Sequence, residues 1–160
     1  MIGVYVRGAE NVRAERICPS TTGGNVVKWD GMKLEKGGAP MEEIVKALSS
    51  LRIPLVVDEF ELQALVSGAL QKYEIEFVKE ARLAPRCRVD FLCRGGIAVE
   101  VKRGKPQKTR LMEQLKRYAQ LESVSAVILV VERTAELPKE VCGKPCRVVA
   151  LNRLWGVAVG

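Results

Sequence analysis

Two carboxylates and a lysine lie close together in Arg88-Val89-Asp90-Phe91-Leu92-Cys93, a turn around Arg94-Gly95-Gly96, and Ile97-Ala98-Val99-Glu100-Val101-Lys102. Side chains alternate between the faces of a strand, so Val89 and Phe91 are expected on one face and Asp90 on the other. In the next strand Ile97, Val99 and Val101 point into a core, and Glu100 and Lys102 share the opposite face. If the turn pairs the two strands as a hairpin, Asp90, Glu100 and Lys102 converge on one side of a sheet. Two carboxylates so placed suit Mg²⁺, a hard cation that prefers oxygen ligands at about 2.1 Å, with the ammonium beside an attacking water. The plain alternative is an exposed sheet face carrying a Glu-Lys pair.

A third acid is expected from the helix upstream. Leu62, Leu65, Val66, Ala69 and Leu70 form its buried stripe, and the spacing 59, 62, 66, 70 puts Glu59 within it. A carboxylate on a buried face needs a cation to satisfy it. A first-turn acid favoured by the helix dipole is the ordinary explanation for the same residue. Asp58 and Glu61 stand in the D-x-x-E relation of an N-cap and its capping box, which accounts for both without chemistry.

Downstream of Lys102, Leu111, Leu115 and Ala119 mark the core side of a further helix. Gln114 and Tyr118 sit one turn apart at its edge, with Arg110 and Arg117 just outside them. An amide, a phenol and two guanidiniums on one stripe can contact phosphates and sugars, although any amphipathic helix edge has a similar composition. The charge supports the first reading. The chain carries 26 Lys and Arg against 19 Asp and Glu, a net of +7. Residues 101–120 hold Lys102, Arg103, Lys105, Lys108, Arg110, Lys116 and Arg117 against Glu113 alone, leaving 19 bases and 18 acids elsewhere. A local excess of this kind is the electrostatic footprint of a nucleic-acid partner. The sequence has no histidine, which excludes Ser-His-Asp and Cys-His hydrolases and histidine-ligated zinc.

The elements that must position these residues can be read from periodicity. A chain of 160 residues allows one compact domain, here expected at 40–160, with a β-rich appendage at 1–39. In the appendage, Asp30-Gly31 between 25–29 and 32–36 predicts a β-hairpin, in which Trp29 reads as a packing residue more readily than as a base-stacking platform. Helices are expected over 41–51, 58–73 and 109–121. An extended stretch is expected over 53–57, and strands over 74–83, 88–93, 97–103, 123–131 and 146–151. That order predicts an α/β domain, a central mixed β-sheet flanked by helices. The apolar run 124–131 is far short of the ~20 residues a membrane-spanning helix needs, so a cytoplasmic protein is expected. Five cysteines cannot all pair internally. Buried thiols or a Cys142–Cys146 disulfide are expected, and the scarcity of Asn, Gln and His suits a thermophile.

Taken in order, Asp90, Glu100-Val101-Lys102 and Gln114-x-x-x-Tyr118 resemble the PD-(D/E)XK nuclease superfamily, in particular its RecB-like branch with the QxxxY motif. The resemblance spans residues 55–151 and departs from the motif at Val89, which stands where the family has its proline. It implies a restriction-endonuclease-like fold and a Mg²⁺- or Mn²⁺-dependent deoxyribonuclease. By resemblance Asp90, Glu100, the Val101 carbonyl and the upstream acid Glu59 hold metal, and Lys102 orients or activates water. Gln114, Tyr118, Arg110, Arg117, Lys105 and Lys108 lie on the DNA side. Two alternatives share the residue set: a structure-specific endonuclease such as a homodimeric Holliday-junction resolvase, and a DNA-binding module that does not cut. The iron-sulfur cluster of some RecB-like nucleases is not expected, because only Cys142 and Cys146 follow the core where three cysteines are needed.

Overall fold

Apolar residues at three-and-four spacing produce two helices, α1 (Ala39–Ser49) and α2 (Glu59–Lys72), in the computed structural model, which describes residues 39–54 and 57–151. The hairpin expected at 25–36 lies outside the described residues, as does all but the end of the appendage. α1 buries Met41, Ile44, Ala47 and Leu48, and α2 buries Leu62, Val66, Ala69 and Leu70. The expected capping box starts α2. Asp58 Oδ1 accepts from the Glu61 N–H at 2.7 Å, and Glu61 Oε2 accepts from the Asp58 N–H at 2.9 Å.

The end of α2 corrects the expected strand over 74–83. The Ile75 N–H donates to the Leu70 carbonyl and the Glu74 N–H to the Gln71 carbonyl, both at 2.9 Å, with Glu74 at φ +56°. These are the paired bonds of a Schellman motif, and Ile75 packs against the core that contains Leu70. The motif consumes Glu74 and Ile75, so β1 begins only at Phe77 and runs Phe77–Ala84.

β2 (Cys87–Cys93), β3 (Ile97–Lys102), α3 (Lys108–Ala119), β4 (Ala126–Val131), β5 (Glu140–Val141) and β6 (Lys144–Ala150) follow. The two-residue β5 was not anticipated from the sequence. The strands form one six-stranded sheet in the order β1-β2-β3-β4-β6-β5. β1, β2 and β3 are antiparallel neighbours, whereas β3–β4 and β4–β6 are parallel. Gly95 and Gly96, at φ +80° and +77°, make the β2–β3 turn, where L side chains would be strained.

Two cores sandwich the sheet. Ala126, Ile128 and Val130 of β4 pack with α1 and α2 on one face, while Val127, Leu129 and Val131 pack with α3 on the other. A strand covered on both faces reads as an unbroken apolar run, and burying each such side chain contributes about 1.5–3 kcal/mol. The result is a mixed α/β sheet flanked by helices, as expected. Among the described residues no helix is long and apolar enough to cross a membrane.

Candidate active site

The site forms where β2 and β3 part. Their ladder pairs Cys93 with Ile97, Leu92 with Ala98 and Phe91 with Val99, and stops there. The next rung would set Asp90 opposite Glu100. Instead the Asp90 side chain takes the place of backbone, with Oδ2 accepting from the Val101 N–H at 2.7 Å. Its other oxygen, Oδ1, accepts from Gln63 Nε2 of α2 at 3.0 Å. On the other side of β2, Glu80 of β1 has φ +54° at the level of Asp90, between the pairs Lys79–Phe91 and Ala81–Val89. The local twist breaks the alternation. Phe91 packs with the α1–α2 core and Val89 with the α3 core, which corrects the expectation that they share a face.

Glu100 is only 2% exposed and is the one buried charged side chain among the described residues. Its oxygens are met by the protein. Oε1 accepts from Lys102 Nζ at 2.6 Å and from Gln114 Nε2 at 2.7 Å, and Oε2 lies 2.9 Å from the Tyr118 hydroxyl. That hydroxyl also accepts from Gln114 Nε2 at 2.7 Å and lies 2.8 Å from the Arg88 carbonyl, so its single proton faces two acceptors. Such donors make the burial of a carboxylate tolerable.

The electrostatics follow from this crowding. Burial and the charge of Glu100 push Asp90 up to about 7, against the opposing effects of the Val101 N–H and Lys102. Burial works against the Lys102 ammonium, but the Glu100 hydrogen bond and the charges of Glu100, Asp90 and Glu59 outweigh it and raise its pKa. Lys102 therefore stays protonated at neutral pH. Burial, then the charge of Glu100, drives the Tyr118 phenol well above its ordinary value, so it acts as a neutral hydrogen-bonding group.

The expected residues thus fall into three groups. Asp90, Glu100, Lys102, Gln114 and Tyr118 come together. Tyr118, expected at the helix edge on the DNA side, is instead 2% exposed and turned against Glu100, because α3 lies over the sheet against β2 and β4, the strands on either side of β3. Arg110, Arg117, Lys105 and Lys108 are exposed around this cluster, on α3 and the loop before it.

Glu59 is corrected. It is exposed rather than part of the buried stripe, because it is the first residue of α2 and precedes the turn that packs on the sheet. Its charge still reaches Lys102. Gln63, one turn further along the same helix, is the α2 residue that reaches Asp90. No signal in the residue types singled it out.

No protein-family model, curated protein or solved structure matches the chain.

The oxygen donors available to a cation are the carboxylates of Asp90 and Glu100 and the carbonyl of Val101. In an extended strand the N–H and C=O of one residue project to the same side. The Val101 N–H meets Asp90, so its carbonyl faces the same gap, whereas the carbonyl of Lys102 turns to β4 and accepts from the Glu132 N–H at 3.3 Å. Among the described residues no three acidic or thiol side chains are placed so that together they could hold a metal ion, so Glu59 does not add a third carboxylate ligand. The expected Cys142–Cys146 disulfide is not formed. Cys142 is exposed in the β5–β6 turn and Cys146 is buried, and Cys87 and Cys93 are also free thiols.

Proposed function

We propose that this protein is a Mg²⁺- or Mn²⁺-dependent nuclease that hydrolyses DNA phosphodiesters, a PD-(D/E)XK enzyme of the RecB-like branch with a restriction-endonuclease-like domain. The observation that carries the proposal is the buried Glu100. A carboxylate placed in a sheet beside a second carboxylate and a protonated lysine, with an amide and a phenol built around it, exceeds what the fold requires. An apolar residue there would pack at less cost.

The donor set fits a hard divalent cation. The charge of Glu100 raises the proton affinity of Asp90, and Lys102 forms its ion pair with Glu100 alone. Asp90, Glu100 and the Val101 carbonyl would hold the ion, which when bound would stabilise charge on the phosphate and favour attack by water.

The protein's own groups have separate tasks. Gln63 and the Val101 N–H hold both oxygens of Asp90, while Gln114 and Tyr118 hold Glu100 at a fixed angle. Lys102, kept charged, cannot serve as a general base. It orients water as a donor and offsets the charge that grows on the non-bridging oxygens. Arg110, Arg117, Lys105 and Lys108 bind the polyanion on either side.

The test is cleavage of labelled single-stranded, duplex and branched DNA with Mg²⁺ or Mn²⁺, comparing wild type with Asp90→Ala and Lys102→Ala. Each substitution is expected to lower the rate by ~10²-fold or more. Cleavage that persists in EDTA, or equal rates in the variants, would overturn the proposal. Selective cutting of branched DNA would assign the protein to the structure-specific class.

A further inference from the structure

An aromatic ring stands in water at the rim of this site. Phe60, the second residue of α2, is 73% exposed, and among the described residues the only other exposed large hydrophobic is Tyr73, at 36%. The amphipathic pattern of α2 gives no reason for it, since Leu62, Val66, Ala69 and Leu70 already supply the buried stripe. Its surroundings are specific. Lys79 Nζ lies 5.5 Å from the ring centroid, within cation–π range. Lys79 pairs across β1–β2 with Phe91, the residue next to Asp90. Gln63, which holds Asp90, is three residues beyond Phe60 and so its neighbour on the helix surface. An exposed ring, a cation and a carboxylate-bearing site therefore follow one another along a single rim.

We propose that Phe60 and Lys79 form a stacking site for an unpaired nucleobase of single-stranded DNA, placing the adjoining phosphodiester toward Asp90 and Glu100. Any base has a π-face, so a ring binds single strands without reading sequence, and the lysine beside it matches the phosphate. Paired bases already stacked inside a duplex cannot use the ring. The inference rests on the nuclease reading for the meaning of the neighbouring site, but its own claim concerns binding.

The experiment is fluorescence anisotropy of a labelled oligodeoxythymidylate in EDTA, with a duplex of equal length as comparison. Phe60→Ala and Phe60→Leu should each weaken single-strand binding about ten-fold and Phe60→Trp should retain it, with duplex binding unchanged in all three. Lys79→Ala should weaken single-strand binding and reduce its salt dependence. The ring is exposed, so the variants should melt at the wild-type temperature, and the Leu variant keeps an apolar side chain should the Ala variant fail to fold. Unchanged single-strand binding in Phe60→Leu would overturn the proposal. So would equal losses on duplex, or a change in sedimentation mass without loss of DNA binding, which would make the ring a contact between protein chains. Phe60-dependent binding in a protein that cuts nothing with Mg²⁺ or Mn²⁺ would sink the nuclease reading and leave this one standing.

Discussion

Tyr118 and Glu100 share a buried hydrogen bond, and each explains why the other is tolerated there. Tyr118→Phe keeps the ring and its packing but removes the single proton that Glu100 Oε2 and the Arg88 carbonyl share, and the acceptor of Gln114 Nε2. The expected cost is about 1–3 kcal/mol in urea unfolding, together with a lower cleavage rate as Glu100 loses its fixed orientation. Asp90 supports a second prediction. Its carboxyl, raised from an ordinary 3.8 to about 7, binds its proton more tightly in the folded chain than in the unfolded one. Its contribution to stability is therefore complete below the ordinary value and is lost as the pH rises to about 7. Asp90→Asn should flatten that part of the stability–pH curve in the metal-free protein and raise its melting temperature at pH 8. A cation must also displace this proton, so Mg²⁺ affinity measured by calorimetry should climb up to ten-fold per pH unit below about 7 and level off above it. The charged residues of the site were legible because Glu100 and Lys102, two apart on one strand, must share a face, and a short turn brings the strand of Asp90 beside them. Gln63 was not, since an amide on a helix flank is chemically unremarkable until the packing of α2 on β2 brings it to Asp90.

Elements were legible to the extent that local rules decided them. The stripe of Leu62, Val66, Ala69 and Leu70, and that of Leu111, Leu115 and Ala119, located α2 and α3 because a 3.6-residue period leaves little freedom. The Asp58–Glu61 capping box was equally readable, and it is testable. Asp58→Ala leaves the Glu61 N–H without its acceptor and should cost about 1 kcal/mol, lowering the melting temperature without changing the cleavage chemistry at saturating metal. Three features were hidden because they break the local rules. Glu74 and Glu80 adopt positive φ without being glycine, so neither the late start of β1 nor the change of face between Val89 and Phe91 could be seen in residue type. The third is the divergence of β2 from β3, which the Asp90–Val101 hydrogen bond replaces and which creates the gap the site occupies. A perfect hairpin would have paired Asp90 with Glu100 across a closed ladder and left no gap between the strands.

For the whole molecule the decisive property is where the +7 charge resides. Arg103, Lys105, Lys108, Arg110, Lys116 and Arg117 are all exposed, on α3 and the loop that leads to it from Lys102. Glu132 anchors the start of that loop, accepting from the Gly104 N–H at 3.1 Å and lying 4.0 Å from Arg103 Nε. The patch is thus fixed to the strand that carries Lys102. Pairs of this kind on an exposed surface contribute little to stability, so the proposed use of these cations, binding a polyanion, would cost the fold little. Binding by such a surface is driven by counterion release, and for single strands log K falls against log salt with a slope of roughly −0.7 per neutralised phosphate. Replacing Lys105 and Lys108 together by Ala should therefore weaken DNA binding at low salt and make the slope shallower by about 1 to 1.5. The melting temperature should stay unchanged, since neither side chain is buried. Affinity that drops with an unaltered slope would mean that these lysines act on the fold and not on phosphate, and the basic patch would lose its place as a wall of the site.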